Sequence, residues 1–182
     1  MMVEIKLVET EEELNGILLL QSKNLKRNLT QEEMDREGFV TAEYNIDIMK
    51  KMHEVRRSVI AKDGDEVVGY LIATTKAIKP HHALLSEFFD QLDKIDYKGK
   101  SLKDVDYMLG GQICVAKGYR GQGLFVKMHL FYRDAHRAEY PFCITDIDFA
   151  NIGSLRAHEK VGFEELKVVT YWNVTWKIVI WD

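Results

Sequence analysis

A glycine-rich run at residues 112–125, QICVAKGYRGQGLF, constrains this chain more than any other segment. It begins with the apolar residues Ile113, Cys114 and Val115, which are typical of a buried strand. Glycines follow at positions 118, 121 and 123, where a missing Cβ lets the backbone turn tightly or approach a ligand. The run therefore predicts a strand that ends in a glycine turn.

The residues after the glycines repeat with helical spacing. An apolar stripe at steps of four, three and four predicts a helix packed on a sheet, through Leu124, Met128, Phe131 and Ala135. The turn then lies at a helix N-terminus, where unpaired N–H groups and the positive end of the helix dipole converge. Such a turn stabilises an anion without a dedicated side chain, so the sequence predicts a phosphate-bearing ligand. The alternative is a glycine-rich connection with no ligand role.

Two common phosphate loops do not fit these residues. A P-loop requires Lys and then Ser or Thr after its last glycine, but Leu124 and Phe125 follow Gly123. The dinucleotide fingerprint requires a third glycine where this chain has Val126. Nucleotide hydrolysis and hydride transfer therefore lose their main support.

A second segment downstream encodes a strand and a capped helix. Residues 142–150, FCITDIDFA, form a strand-like run. Asn151 follows it as a preferred helix N-cap, and Gly162 stands where glycine is preferred just past a helix end. Both limits of this helix are thus predicted locally.

Together the two segments resemble the recurrent motifs of the GNAT acetyltransferase superfamily. The acyl-coenzyme A loop of that family reads Gln or Arg, two residues, Gly, one residue, then Gly or Ala; Arg120, Gly123 and Phe125 occupy these positions. Phe125 departs from the pattern, and either crowds the cofactor or points into the core. The second motif of the family is matched by Asn151, Ser154, His158, Lys160, Gly162 and Phe163.

The resemblance implies an α/β (α+β) fold with a GNAT-like mixed, mostly antiparallel central sheet of about seven strands flanked by helices. The order of elements read from the sequence agrees with it: strand 3–8, helices 11–20, 30–37 and 42–55, a hairpin around Asp63-Gly64, and strands 163–170 and 174–181. Thr10, with Glu13 three residues later, is the predicted N-cap of the first helix. No Pro-, Ser- or Gly-rich linker marks a boundary, so residues 1–182 are expected to form a single GNAT-like acyltransferase domain. A variable segment at about 77–107 carries an inserted helix and, in the family, such segments build the acceptor side.

The implied activity is transfer of an acetyl or short acyl group from coenzyme A to a primary amine of a small molecule or peptide, by direct attack in a ternary complex. Acetyl-CoA is the expected co-substrate, and no metal is expected. In the family, the strand main chain pairs with the pantetheine arm, the loop amides hold the pyrophosphate and the Asn steadies the thioester end. The cofactor-binding positions implied here are Ile113, Cys114, Val115, Arg120, Gly121, Gln122, Gly123, Leu124, Phe125 and Asn151.

Catalysis needs a proton acceptor, because an ammonium with a pKa of about 10.4 is not nucleophilic at neutral pH. Asp148 is the predicted base, with Asp146 on the same strand face as a further candidate; surface charge is the alternative explanation for both. His158 stands where many GNAT members place a Tyr that protonates the leaving thiolate, so it is the predicted proton donor. A packed helix histidine is the alternative for that residue.

Composition narrows the class of protein. The formal net charge of −4 indicates no nucleic acid partner, and no apolar run approaches the roughly 20 residues that span a bilayer. Cys114 and Cys143 lack metal-ligand spacing and are expected as core residues in a reducing cytoplasm. The Trp- and Val-rich C-terminal strands are candidates for pairing in a homodimer if one lies at a sheet edge.

Two other classes of protein remain open. A GNAT-like sensor or partner-binding module would bind acyl-CoA without transferring the acyl group. An ordinary α/β domain for another phosphate ligand would keep the glycine loop and have no use for coenzyme A.

Overall fold

A seven-stranded mixed sheet organises the chain in the computed structural model, which describes residues 3–182. The strands are β1 (Glu4–Leu7), β2 (Val59–Asp63), β3 (Glu66–Thr74), β4 (Asp96–Tyr97), β5 (Lys100–Ser101), β6 (Met108–Val115), β7 (Cys143–Asp148), β8 (Glu164–Tyr171) and β9 (Val174–Trp181). Their order in the sheet is β1-β2-β3-β6-β7-β9-β8, and β4 and β5 form a separate small hairpin. All sheet neighbours are antiparallel except β6 and β7. The predicted fold class is confirmed.

Helices cover both faces of this sheet. They are α1 (Glu11–Asn24), α2 (Gln31–Glu37), α3 (Ile46–Val55), α4 (Ala83–Leu92), α5 (Leu124–His136) and α6 (Ile152–Val161). The sheet separates two hydrophobic clusters, because successive side chains of a strand point to opposite faces. Tyr70 and Ile72 of β3 join the cluster of α1, α3 and α4, whereas Leu71 and Ala73 join that of α5 and α6.

Helix ends follow the sequence closely. Thr10 forms a capping box with Glu13 at the start of α1, which satisfies two backbone N–H groups reciprocally. Asn151 caps α6, and Gly162 ends it in the left-handed region at φ 106°. These three predicted helix ends are confirmed.

The predicted start of the third helix, at Ala42, was wrong. Residues 41–45 belong to no helix or strand, and α3 begins at Ile46 after the N-cap Asn45, whose side chain accepts from the N–H of Ile48. The main chain of Ala42 and Tyr44 is instead bonded to the distant side chains of Gln112 and Gln21, which local helix propensity does not register.

The apolar stripe of α5 is also rotated from its predicted position. Phe131 and Ala135 are exposed, and the buried residue four places after Met128 is Tyr132. The Tyr132 hydroxyl donates to the carbonyl of Leu109 over 3.1 Å, so this side chain is buried with its polar group satisfied. The long segment before β6 contains the expected helix as α4.

Strands β6 and β7 diverge soon after they meet. They are paired only at Met108 with Cys143 and Leu109 with Ile144. A register shift in the β3–β6 pairing leaves Gly111 of β6 opposite no residue, which is the geometry of a bulge and bends a strand locally. The central sheet therefore opens into a gap between β6 and β7.

Candidate active site

A cleft of about 430 Å³ lies beside the gap, bounded by β6, the glycine turn and the start of α6. All the predicted cofactor-binding residues line it except Gln122, whose exposed amide donates to the carbonyl of Gly118 over 3.1 Å. The structure thus brings together two motifs that lie about 30 residues apart in the sequence. Cofactor binding by these residues remains a prediction.

The glycine turn presents main-chain groups to this cleft. Gly121 and Gly123 have φ of 74° and 77°, a region that residues with a Cβ rarely adopt. Gly123 is the N-cap of α5 and offers no side-chain acceptor to the first N–H groups of the helix. Those N–H groups are the ones that bind anions at helix N-termini.

Arg120 lines the cleft, but its guanidinium is bound by protein groups. It donates to the carbonyl of Val115, the carboxylate of Glu37 and the side-chain oxygen of Asn24, each over 2.8 Å. It also reaches the carbonyl of Glu37 over 3.1 Å. The side chain therefore fastens the glycine turn to the ends of α1 and α2, and Glu37 balances its charge.

Phe125 is directed toward the α5–α6 interface. Its ring centroid lies 4.7 Å from that of His129 and 5.0 Å from that of His158. The residue is partly buried in the cluster of α5 and α6 while still lining the cleft. Between the two alternatives left by the sequence, these contacts support packing in the core.

His158 is buried in the same aromatic cluster. Its Nδ1 lies 2.8 Å from the carbonyl of Ser154, which requires the proton on that nitrogen. Burial lowers its pKa to about 4, so the imidazole is neutral at pH 7. The only N–H of the ring is then used inside α6. The proton-donor role stays a prediction, and this geometry gives it no support.

Asn151 joins α6 to the other half of the site. Its Oδ1 accepts from the N–H of Ser154 over 3.3 Å, and its Nδ2 donates to the carbonyl of Phe39 over 2.8 Å. The φ of Gly38 is 74°, which strains any residue with a Cβ, and such a Cβ would also lie 2.8 Å from this Oδ1 and displace the Asn151 side chain. The predicted cofactor residue also holds the segment that covers the gap.

That segment is residues 37–45, which we call the strap. It is fixed by side chains from three elements, because Arg120, Asn151 and Gln112 donate to the carbonyls of Glu37, Phe39 and Ala42. Main-chain bonds from Val40 to Asn24 and from Lys26 to Val40 anchor it further. The sequence shows no signal for it, since the strap has no periodic pattern and its partners are distant.

A second cavity, of about 70 Å³, lies behind the strap and meets the cleft at the gap. The two share five lining residues: Phe39, Val40, Ile113, Asn151 and Ser154. Apolar walls come from Leu84, Leu85, Phe88 and Trp176. The lining contains no Lys or Arg, and its ionisable acids are Asp146 and Asp148. We call it the acceptor pocket.

The two aspartates differ in their partners. Asp148 is buried, pairs with Lys26 Nζ over 2.8 Å and accepts from the N–H of Ala150 over 2.9 Å. Asp146 accepts from the hydroxyl of Tyr171, and burial raises its pKa to about 6 despite that bond. The surface-charge explanation is wrong for Asp148, whereas Asp146 is half-buried with its carboxylate bound by Tyr171.

A buried polar network supports the acceptor pocket and was missed from the sequence. Oε1 of Gln112 accepts from Gln21 over 3.1 Å and from the Tyr70 hydroxyl over 2.6 Å. Oε1 of Gln21 accepts from the N–H of Tyr44, whose hydroxyl donates to the carbonyl of Gly111 over 3.0 Å. Isolated Gln and Tyr residues carry no spacing by which this could be found.

Three further features of residues 3–182 bear on the class of protein. No helix in this range has the length and apolar character that crossing a bilayer requires. The same residues contain no group of three or more His, Cys, Asp or Glu side chains placed to hold a metal ion. Cys114 and Cys143 are both buried free thiols.

Known structures share this architecture at low sequence identity. No protein-family model and no curated protein sequence matches the chain. The GNAT family acetyltransferase from Streptococcus agalactiae is 15% identical, with a TM-score of 0.66 over 98% of this chain and 94% of that one. A chain of the NatC complex bound to Gag peptide and CoA is 16% identical, with a TM-score of 0.65 over 99% and 98%. The yncA protein of Salmonella typhimurium with its cofactor acetyl-CoA is 13% identical, with a TM-score of 0.59 over 100% and 94%. The fold of this chain is therefore that of the GNAT acetyltransferases.

Proposed function

We propose that this chain transfers an acetyl or short acyl group from coenzyme A to a primary amine of a small molecule or peptide, by direct attack in a ternary complex. The observation that carries the proposal is the gap between β6 and β7. It joins a cleft with free main-chain donors to an acid-lined pocket, so two ligands have room to meet there. Solved structures of the same fold hold CoA or acetyl-CoA, which supports this assignment.

The cleft fits the proposed cofactor in its chemistry. The uncapped N-terminus of α5 and the glycines at 121 and 123 suit a diphosphate, and an added Cβ at either glycine would meet no atom within 4 Å. Ile113 to Val115 lie beyond the last β6–β7 pair, where a pantetheine arm has access to the strand edge. When bound, acetyl-CoA would supply an activated acyl group on a good leaving thiol.

The chain itself would contribute position and electrostatics. Holding an amine and a thioester in line lowers the barrier without any covalent step on the protein. The roles expected for His158 as proton donor and Asp148 as base stay predictions. His158→Ala tests the first: a fall in turnover with unchanged acetyl-CoA affinity would support it.

Calorimetric titration with acetyl-CoA, followed by thiol release across an amine panel, tests the proposal. The panel contains polyamines, aminoglycosides, amino acids and peptides with free N-termini. We expect binding and amine-dependent thiol release. Binding of acetyl-CoA with thiol release no faster than background hydrolysis would favour the sensor alternative. That alternative is supported by Arg120 and His158, whose polar groups are bonded within the protein. No binding would contradict the coenzyme A assignment itself.

A further inference from the structure

Asp146 lies where β7 has just separated from β6. The pairing ends at Ile144, and the Thr145 hydroxyl makes the last link to β6 by donating to the carbonyl of Gly110 over 2.8 Å. The next residue along β7 is therefore the first with no strand neighbour on that side. Asp146 is half-buried as a residue and lines the acceptor pocket.

This carboxylate has no cationic partner. Within residues 3–182, no Lys, Arg or His nitrogen lies within 4.0 Å of it, whereas Asp148 two residues on is paired with Lys26. A carboxylate that is desolvated and has no countercharge is costly, and it favours either protonation or a cationic ligand. Asp146 is therefore the acid of this pocket that is free to receive a ligand ammonium.

Tyr171 fixes the orientation of that carboxylate. Its ring stacks on Trp176 at 5.3 Å between centroids and on Phe88 at 6.5 Å, and the Trp176 indole N–H donates to the Tyr171 carbonyl. The hydroxyl is thereby held against Asp146. Burial and the neighbouring charge of Asp146 both raise the pKa of Tyr171, so the hydroxyl stays a donor at every pH of interest.

The remaining charged and titratable groups near Asp146 are already engaged. Tyr44 donates its hydroxyl to the carbonyl of Gly111, His158 is a neutral imidazole, and Lys26 is paired with Asp148. Glu87 on α4 adds negative charge next to Tyr171. The surroundings are thus acidic and apolar, which suits a primary amine on an uncharged, compact carbon group better than a free amino acid with its own carboxylate.

We propose that Asp146, oriented by Tyr171, docks the ammonium group of the acceptor and takes a proton from it. This inference rests on the proposed transfer reaction. The carboxylate accepts one proton from R–NH₃⁺, and the amine lone pair then forms the nitrogen–carbon bond to the acyl carbon. The carbon–sulfur bond breaks with its electron pair on sulfur, which ends as the thiol, and the amide nitrogen keeps one hydrogen. The balance is R–NH₃⁺ plus acyl thioester to amide, thiol and one proton, and no other reactant is needed.

Asp146→Asn and Tyr171→Phe test the inference. We measure thiol release with leucinamide and leucine from about pH 5 to about pH 9, and acetyl-CoA affinity by calorimetry. Asp146→Asn is expected to lower kcat/KM about 100-fold or more, to leave acetyl-CoA affinity unchanged and to abolish the fall in activity below about pH 6. Asp134→Asn, at an exposed site on α5, is the matched carboxylate-to-amide control and should behave as the wild type.

Tyr171→Phe keeps the ring and removes the hydroxyl. The Tyr171 hydrogen bond lowers the pKa of Asp146, so its loss should move the acidic limb of the kcat/KM profile to higher pH. This shift is a readout that a purely structural role would not produce, and it decides the matter if Asp146→Asn fails to fold.

Several outcomes would overturn the inference. One is Asp146→Asn within about threefold of the wild type with an unchanged acidic limb; another is loss of that limb in Asp148→Asn instead. Equal use of leucine and leucinamide would contradict the acceptor class. If the wild type binds acetyl-CoA but releases no thiol with any amine, both the transfer reaction and this inference are contradicted. If the wild type is active and Asp146→Asn does not change its activity, only the inference is contradicted.

Discussion

The two halves of the candidate site are built in different ways. The cleft is formed largely by one continuous run, residues 113–125, and by the start of α6, and it offers main-chain groups. The acceptor pocket is formed by side chains from α4, the strap, β6, β7 and β9. Main-chain geometry can be encoded by glycines and caps within a dozen residues, whereas a side-chain pocket exists only after distant elements pack. The predictions below test whether the cleft and the acceptor pocket can be disturbed separately.

The largest expected effect is an opposite response to acid by the buried histidines of α5 and α6 and by Asp146 in the acceptor pocket. Burial lowers the pKa of His129 to about 3 and the pKa of His158 to about 4. Below pH 6.5, the ordinary pKa of histidine, these two residues therefore bind protons in the unfolded chain but not in the folded chain, which destabilises the fold. Asp146 has the opposite effect on stability, because its raised pKa makes it bind a proton in the folded chain at a pH where the unfolded chain does not. We expect the free energy of unfolding to fall on the order of 3 kcal/mol between about pH 7 and about pH 5.

Urea unfolding at several pH values measures this response. His158→Gln should flatten the pH dependence and Asp146→Asn should steepen it, while the exposed control His81→Gln should change neither. The same slope in all four proteins would show that these buried groups do not govern acid stability.

Gly123→Val should weaken acetyl-CoA binding about 100-fold, which corresponds to about 2.7 kcal/mol. The reason is that a β-branched residue at φ 77° displaces the N–H groups of the turn. Gly99→Val is the matched control: its φ is 76°, an added Cβ there meets nothing within 4 Å, and it lies in the β4–β5 turn, which does not line the cleft. Calorimetry should show unchanged affinity for the control. Equal losses in the two variants would mean that strain alone explains the effect.

Gln112→Leu should act on the acceptor half. It leaves Gln21, Tyr70 and the carbonyl of Ala42 without their buried partner, which costs about 2 kcal/mol of stability. Turnover should fall with acetyl-CoA affinity nearly unchanged, since Gln112 and Ala42 line the acceptor pocket and not the cleft. Gln31→Leu on the exposed face of α2 gives the cost of the same change at the surface. Loss of cofactor affinity instead would mean that the two halves are not separable at this residue.

Asp148→Asn should have the smallest effect, about 1 kcal/mol of stability, because its partner Lys26 is 41% exposed and water screens the ion pair. Chemical unfolding measures the loss. Thiol release from the same variant tests the base role predicted from the sequence: a fall of about 100-fold in kcat/KM with an intact fold would return that role to Asp148.

The strengths and failures of the sequence-based predictions follow the same division. Thr10, Asn151 and Gly162 were predicted as helix ends because a cap depends on the few residues around it. Tyr132 was missed as a core residue because apolar patterning ranks Phe131 above it, and burial of its hydroxyl depends on Leu109 in another element. Asp146 and Asp148 could not be told apart, since their difference lies in Lys26 and Tyr171.

The strap has a consequence for engineering acceptor choice. Its carbonyls are fastened by Arg120, Asn151 and Gln112, and Gly38 leaves no room for a Cβ beside Asn151. These hydrogen bonds set the backbone path of the strap. An insertion or deletion in the strap would therefore break its contacts with the glycine turn, with α6 and with β6 together. A library that varies only the side chains of Phe39 and Thr41 would reshape the pocket wall while the scaffold behind it stays in place.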